Sequence, residues 1–288
     1  LVNEGKICRS DVLIKGQKIQ KIAPKIIGPA DKTIDATGLH LFPGIIDDQV
    51  HFREPGLTHK GSIYTESKAA IAGGITSYME MPNTMPATLS QDLLEKKYAL
   101  AAKQSIANYS FFMGVSNNNI KEVLKTNPKN VGGIKIFMGS STGNMLVNNK
   151  KILEELFSKS QMLIAVHCED EEIIQKNLAD AKKHYGEEVP ISEHANIRSA
   201  DACYKSSKMA IKLAQKHNTR LHVFHLSTEK ETTLFNNKIP LKEKKITSEV
   251  CIHHLWFDQS SYKTKGSLIK WNPSIKRKRD KNALLKAL

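Results

Sequence analysis

Acidic residues are in short supply: 29 Asp and Glu face 43 Lys and Arg, leaving a net charge of +14 and a pI of about 9.5. Aromatics are sparse too, at 6% with two Trp. The lysines are spread along the whole chain. Only residues 242–245 and 276–279 cluster, and neither group is interleaved with aromatics, so the sequence predicts a solvated basic surface and no nucleic-acid partner. Such a field still helps to draw in a small dianion. No apolar run approaches the ~20 residues needed to cross a bilayer, so no membrane association is expected. The four cysteines, Cys8, Cys168, Cys203 and Cys251, include no CxxC pair. That argues against a disulfide framework and a thiolate zinc site. No charged start leads into an apolar signal core, and a cytoplasmic location is expected.

What is present is 288 residues, 40% of them hydrophobic, with a mean hydropathy of −0.38. That is enough for one large α/β domain, or a barrel with a small satellite. Residues 1–43 carry short β signals: 11–14, a Lys15-Gly16-Gln17 turn, 18–22 in alternation, and a further strand and turn over Thr33–Gly38. From residue 44 to 288, apolar strand-like runs near 44–50, 75–81, 108–115, 132–138, 162–168, 220–226 and 246–251 alternate with segments of helical periodicity. Ser90 and Thr228 stand where helix N-caps belong. Repeated strand–helix units with continuous apolar strands imply a parallel sheet covered on both faces. Seven units fit a (β/α)8 TIM-type barrel without its last unit, or a large doubly wound sheet. Polar residues follow nearly every strand, and a barrel gathers its chemistry from the C-terminal ends of several strands. The barrel is therefore the expected fold.

The most concentrated of these strand ends is Asp47-Asp48-Gln49-Val50-His51-Phe52-Arg53-Glu54-Pro55-Gly56. Alternation would put Asp47, Gln49, His51 and Arg53 on one face, where a cation or an anionic substrate could be held. His51, His167 and His225 each follow an apolar run. Any one alone is more often a satisfied structural histidine. Three converging at the end of one barrel suit a zinc ion with an open position, which supplies a nucleophile for amide hydrolysis near neutral pH. Lys135 lies inside the apolar run 132–137, where a free ammonium is costly. It either snorkels, pairs with a carboxylate, or has become a carbamate that bridges metals. Arg53 matches a carboxylate bidentately, and Asn83 could donate to the same group. Asn83 and Asn272, each next to a proline, are equally plausible turn formers. His222 reads as structural.

These residues resemble the dihydroorotases of the amidohydrolase superfamily over nearly the whole chain. The most specific pieces are Asp47-x-Gln49-Val50-His51-Phe52-Arg53-Glu54-Pro55-Gly56 and Met81-Pro82-Asn83-Thr84-Met85-Pro86. Val166-His167-Cys168-Glu169, His225-Leu226-Ser227-Thr228, Cys251-Ile252-His253-His254-Leu255 and Lys270-Trp271-Asn272-Pro273 support them. Allantoinases and hydantoinases are the competing relatives. The resemblance implies a metal-dependent barrel with a small β-sandwich, to which residues 1–43 contribute. It also implies reversible interconversion of dihydroorotate and N-carbamoyl-L-aspartate in pyrimidine biosynthesis. His51 would hold a first zinc, His167 and His225 a second, and Lys135, if carboxylated, would bridge them. Arg53, Asn83 and Asn272 would bind the substrate. A homodimer or an association with aspartate transcarbamoylase is the implied partnership.

Two departures bear on this. Gln49 stands where the family usually has a histidine, and an amide oxygen is a weaker zinc ligand, so one zinc becomes as reasonable as two. The family's metal-binding and acid/base Asp at the end of the eighth strand has no counterpart before Leu288. Asp280 sits in a charged helical stretch. The sequence thus resembles a fragment of a longer protein, and a catalytically silent structural relative is the competing expectation.

Overall fold

The computed structural model describes residues 1–139 and 144–288. Two antiparallel hairpins open the chain: β1 (Val2–Asn3) with β2 (Lys6–Ile7), and β3 (Asp11–Lys15) with β4 (Lys18–Ala23). The strand expected over Thr33–Gly38 does not form. The Asp35 carboxylate accepts from the Thr37 backbone N–H at 2.9 Å, and the Leu39 N–H donates to the Ala36 carbonyl at 2.9 Å. These local bonds take up groups that a ladder would need.

The remainder alternates strand and helix: β5 (Ile45–Val50), α1 (Ile63–Ala72), β6 (Ile75–Glu80), α2 (Gln91–Gln104), β7 (Asn108–Gly114), α3 (Ile120–Val123), β8 (Gly133–Phe137), α4 (Lys150–Lys159), β9 (Ile164–His167), α5 (Glu171–Tyr185), α6 (His194–Ile197), α7 (Ala200–His217), β10 (Leu221–Val223), α8 (Glu229–Thr232) and β11 (Ile246–Ser248). Three helices follow: α9 (Ile252–Trp256), α10 (Tyr262–Lys265) and α11 (Lys278–Ala287). Strands β5 to β11 pair in chain order, every pair parallel. This is a partial (β/α) TIM-type barrel of mixed α/β class.

The local reasons lie in the sequence. β8 and β9 are buried throughout, as continuous apolar strands between two covered faces must be. Ser90 accepts from the Leu93 N–H and Thr228 from the Glu231 N–H, so both expected caps form. Ile134, Ile136, Ile164, Val166, Leu221 and Val223 pack outward with helical residues such as Leu153, Leu156 and Ala210. Met81, Phe112, Ala165 and Phe224 form a separate cluster that fills the barrel floor, with Phe112 and Phe224 edge to face at 5.7 Å. Behind β6, the buried Glu80 carboxylate forms an ion pair with Lys97 of α2, whose amine also donates to the Met81 carbonyl at 2.8 Å.

β5 corrects one expectation. Its register against β6 shifts between Ile45 and Ile46 and again between Asp47 and Val50, so strict alternation fails across 47–50. An extra residue in a strand re-aims the side chains beyond it. Among the described residues no helix is long and apolar enough to cross a membrane.

Candidate metal centre at the strand ends

Four candidate groups converge at the C-terminal ends of the strands. His51 follows β5, Lys135 lies on β8, His167 ends β9, and His225 follows β10. The His167 and His225 rings stand edge to face with centroids 4.7 Å apart, and His167 Nδ1 faces His225 Nε2 at 3.1 Å. The other nitrogen of His167, Nε2, bonds a Glu169 carboxylate oxygen at 2.8 Å. Glu169 is held in turn by Arg198, whose Nε lies 3.0 Å from one oxygen and 3.1 Å from the other. Burial raises the Glu169 carboxyl, but His167 and Arg198 outweigh it and hold the group down to about 2. An ionised Glu169 accepts a hydrogen bond from Nε2–H, which fixes the proton on Nε2 and leaves Nδ1 with its lone pair.

His225 sits at a left-handed φ of 40° and Arg53 at 71°. Non-glycine residues are uncommon there, and in both cases the backbone turns sharply off the sheet just where a side chain must reach the barrel mouth. His225 Nδ1 is buried without a hydrogen-bond partner. Burial, then the charges of His167 and Lys135, push its ring well below the usual histidine range.

His51 Nδ1 meets the Asn83 amide oxygen at 2.8 Å, which leaves Nε2 free among the described residues. Burial, then the charges of Arg53 and Lys135, push this ring down to about 3. Asn83 thus orients His51. The two loops meet because Gly56 lies at φ 83°, against Met85, where a Cβ would collide with the Met85 carbonyl. Arg53 is half-buried; its backbone N–H and the charge of its guanidinium both act on Glu80.

Lys135 is 1% exposed. Its Nζ lies 4.1 Å from the Phe224 ring centroid and 4.7 Å from that of Phe137, and it has no hydrogen bond or ion pair among the described residues. Burial pulls the amine down to about 7, against the upward pull of Cys168, Glu249 and Cys251.

Gln49 and Asn272 stand apart from these four. The Gln49 amide oxygen accepts from Cys251 Sγ at 3.0 Å, across from β5 to the residues after β11, because the β5 irregularity turns it that way. Asn272 is exposed on the rim. Asp280 accepts from the backbone N–H groups of Glu229 and Arg277 at 3.0 and 3.1 Å; it serves α8 and α11 and does not join the site. The basic stretch 276–279 also divides, since Lys276 is buried and donates to Ser227 at 3.0 Å.

Sequence reasoning did not assign Glu169 or Arg198 their roles. The acidic residue two after His167 was the available signal; Arg198, in a loop 29 residues further on, gave none. His222 has a structural setting, as expected. Its Nδ1 lies 2.8 Å from Thr247 Oγ1 and its Nε2 3.3 Å from Glu249. Asp48, His222 and Glu249 bring ligand-type atoms within 4.8 Å of one another, as do Cys251, His253 and His254. Burial raises the Glu249 carboxyl to about 7, with Asp48 adding to the rise and His222 opposing it.

The donors at His167 and His225 suit a borderline divalent ion. Both rings are neutral at pH 7, and two facing nitrogens can share only one proton. An ion about 2.0–2.1 Å from each, at tetrahedral angles, would set them about 3.3 Å apart, close to the 3.1 Å observed. Such an ion would draw on His167 Nδ1 and His225 Nε2, with His51 Nε2 and Lys135 nearby.

Fold and site together define a TIM-type barrel protein with a metal-competent centre at its strand ends. The profile of the dihydro-orotase-like family matches residues 38–228. The chain is 33% identical to the dihydroorotase of Methanosarcina acetivorans, covering 97% of this chain and 61% of that protein. It is 32% identical to the dihydroorotase of Pyrococcus abyssi, covering 99% and 62%. Among solved structures it is similar to an L-hydantoinase (dihydropyrimidinase) from Arthrobacter aurescens, with a TM-score of 0.88 at 24% identity, covering 96% of this chain and 62% of that one; this likeness bears on the fold. The chain belongs to the dihydro-orotase-like family of the amidohydrolase superfamily. It spans about six tenths of the length of the curated relatives it matches.

Proposed function

We propose that this chain forms the metal-holding barrel of a dihydroorotase, a metal-dependent cyclic-amide hydrolase that interconverts dihydroorotate and N-carbamoyl-L-aspartate in pyrimidine biosynthesis. The observation that carries this reading is the facing pair His167 Nδ1 and His225 Nε2, set by the Glu169–Arg198 clamp. Relatives named dihydroorotase over nearly the full chain support it. Zinc, when bound, supplies Lewis acidity and a nucleophile active near neutral pH.

The chain's own residues do the rest. Glu169 keeps the His167 lone pair free, and Asn83 holds His51 so that Nε2 stays unprotonated. With its pKa near 7, much of Lys135 is a neutral amine, the form that adds to CO2 to give a carbamate. Arg53 offers a fork to the substrate carboxylate, and Asn272 on the rim could meet the ring edge from outside. The half-barrel with residues 1–43 as part of a small sandwich completes this reading, as does function in the cytoplasm as a homodimer.

Gln49 favours a second reading. Because its amide oxygen already accepts from Cys251, a silent relative that serves as a structural partner of aspartate transcarbamoylase is the second reading to test. Turnover of dihydroorotate, allantoin and hydantoin by the purified protein, with a zinc count, decides between them. Dihydroorotate turnover with bound zinc supports the first reading. Absence of both zinc and turnover overturns it and leaves the second; allantoin or hydantoin as the preferred substrate overturns both.

A further inference from the structure

The residues after β11 form a second donor cluster that the proposed activity does not use. Cys251 Sγ and ring nitrogens of His253 and His254 lie within 4.8 Å of one another. His254 is 4% exposed. Its Nε2 meets the Pro273 carbonyl at 3.0 Å, and a carbonyl only accepts, so the proton is on Nε2. Nδ1 therefore carries a lone pair, and it is buried with no partner. A buried acceptor left unsatisfied costs about 1–3 kcal/mol and points to a group not yet in place. A ring held by a backbone carbonyl through one nitrogen, with the other bare, is also how metal-ligating histidines are oriented.

The neighbours agree. His253 is stacked flat on Trp271, centroids 3.8 Å apart and planes 11° apart, which fixes its ring without using either nitrogen. Trp271 is itself anchored through its carbonyl to His194 Nε2 at 2.7 Å. Burial pushes His253 down to about 4 and His254 down to about 3, so both are neutral donors at pH 7. Burial and the charges of Glu249, Asp47 and Asp48 raise the Cys251 thiol. The same negative surround that keeps a proton on sulfur attracts a cation that could replace it.

We infer that Cys251, His253 and His254 form a separate binding site for one zinc-class ion, beside the His167–His225 centre. One thiolate and two imidazoles suit a borderline or soft metal and not magnesium or calcium. On loading, the Cys251 S–H bond breaks, its proton leaves to solvent, and sulfur bonds the ion with no change of oxidation state. Gln49 then loses the donor that now turns it toward Cys251, so occupancy of this site bears on the residue that differs from the family pattern.

Cobalt(II) is the probe, because thiolate ligation gives it a near-ultraviolet charge-transfer band that histidine ligation does not. Titration of the full chain should raise this band to a plateau that corresponds to one thiolate-bound ion per chain, with one proton released per ion bound there. Cys251→Ser should abolish the band, and His253→Gln should weaken the affinity read from it at least tenfold. His167→Asn, which disables the other centre, should leave it intact. No band at saturating cobalt, or a band unchanged in Cys251→Ser, overturns the site. If Cys251→Ser does not fold by circular dichroism, His253→Gln decides: an unchanged affinity overturns the assignment.

Discussion

Cys251 Sγ and the Gln49 amide oxygen, 202 residues apart in sequence, meet at 3.0 Å and join the residues after the seventh barrel strand to the first. The Gln49 amide oxygen is therefore already engaged by a thiol donor. Replacing Gln49 by His restores an imidazole with higher zinc affinity than an amide. Metal analysis of Gln49→His after dialysis should show about one more zinc per chain than the parent. An unchanged count would mean that this position does not set the stoichiometry.

The clamp on His167 offers a cleaner measurement. Glu169→Gln keeps the shape but removes the charge that fixes the tautomer. Loss of such an outer partner typically lowers metal affinity about 10–100-fold. Competition with a chromophoric chelator should read a drop of that size, with the circular dichroism unchanged.

Lys135 opposes stability when no metal is present. Burial holds its amine near pKa 7 in the fold, where a free lysine has about 10.4, so between those values the unfolded chain binds more protons. Stability of the metal-free chain should rise with pH from about 7 to about 10.4, by at most ~1.4 kcal/mol per unit. Lys135→Met should flatten that slope in urea unfolding, raise the midpoint at pH 7, and weaken metal binding.

The Glu80–Lys97 pair behind β6 is buried on both sides. Breaking one half of such a pair costs about 3–5 kcal/mol, while replacing both halves with apolar groups is far milder. Lys97→Met should lower the urea midpoint sharply, and Glu80→Met combined with Lys97→Met should recover most of the loss. Equal losses in single and double variants would refute the pairing as the cause.

Arg53→Lys tests the anion clamp. A lysine lacks the planar fork, and a charge-assisted hydrogen bond is worth about 1.5–3 kcal/mol. The KM for dihydroorotate should rise about 10-fold or more with kcat little changed.

Much of the barrel was legible because short strand-type runs such as those of β8 and β9 alternate with segments of helical periodicity. The observed β6, β7, β8 and β9 fall inside the expected windows, and the caps at Ser90 and Thr228 are read directly from residue type. Thr33–Gly38 misled because its alternation is real but Asp35 satisfies the backbone locally. The turn of Gln49 toward Cys251 depends on irregular registers in β5, which no side-chain pattern encodes. Arg198 was invisible for a different reason: its partner Glu169 becomes a neighbour only when the chain folds back over the strand ends. The histidines were readable as a set, whereas their tautomers come from partners that only folding supplies.

The left-handed backbones of His225 and Arg53 have one more consequence. Each is a conformation that glycine would adopt without penalty and that costs other residues about 1–3 kcal/mol. In a library screened only for folding, glycine should therefore enrich at 225 and 53. In one screened for ligand capture, those two positions should resist change, so the divergence between the screens would separate residues kept for chemistry from residues kept for the scaffold.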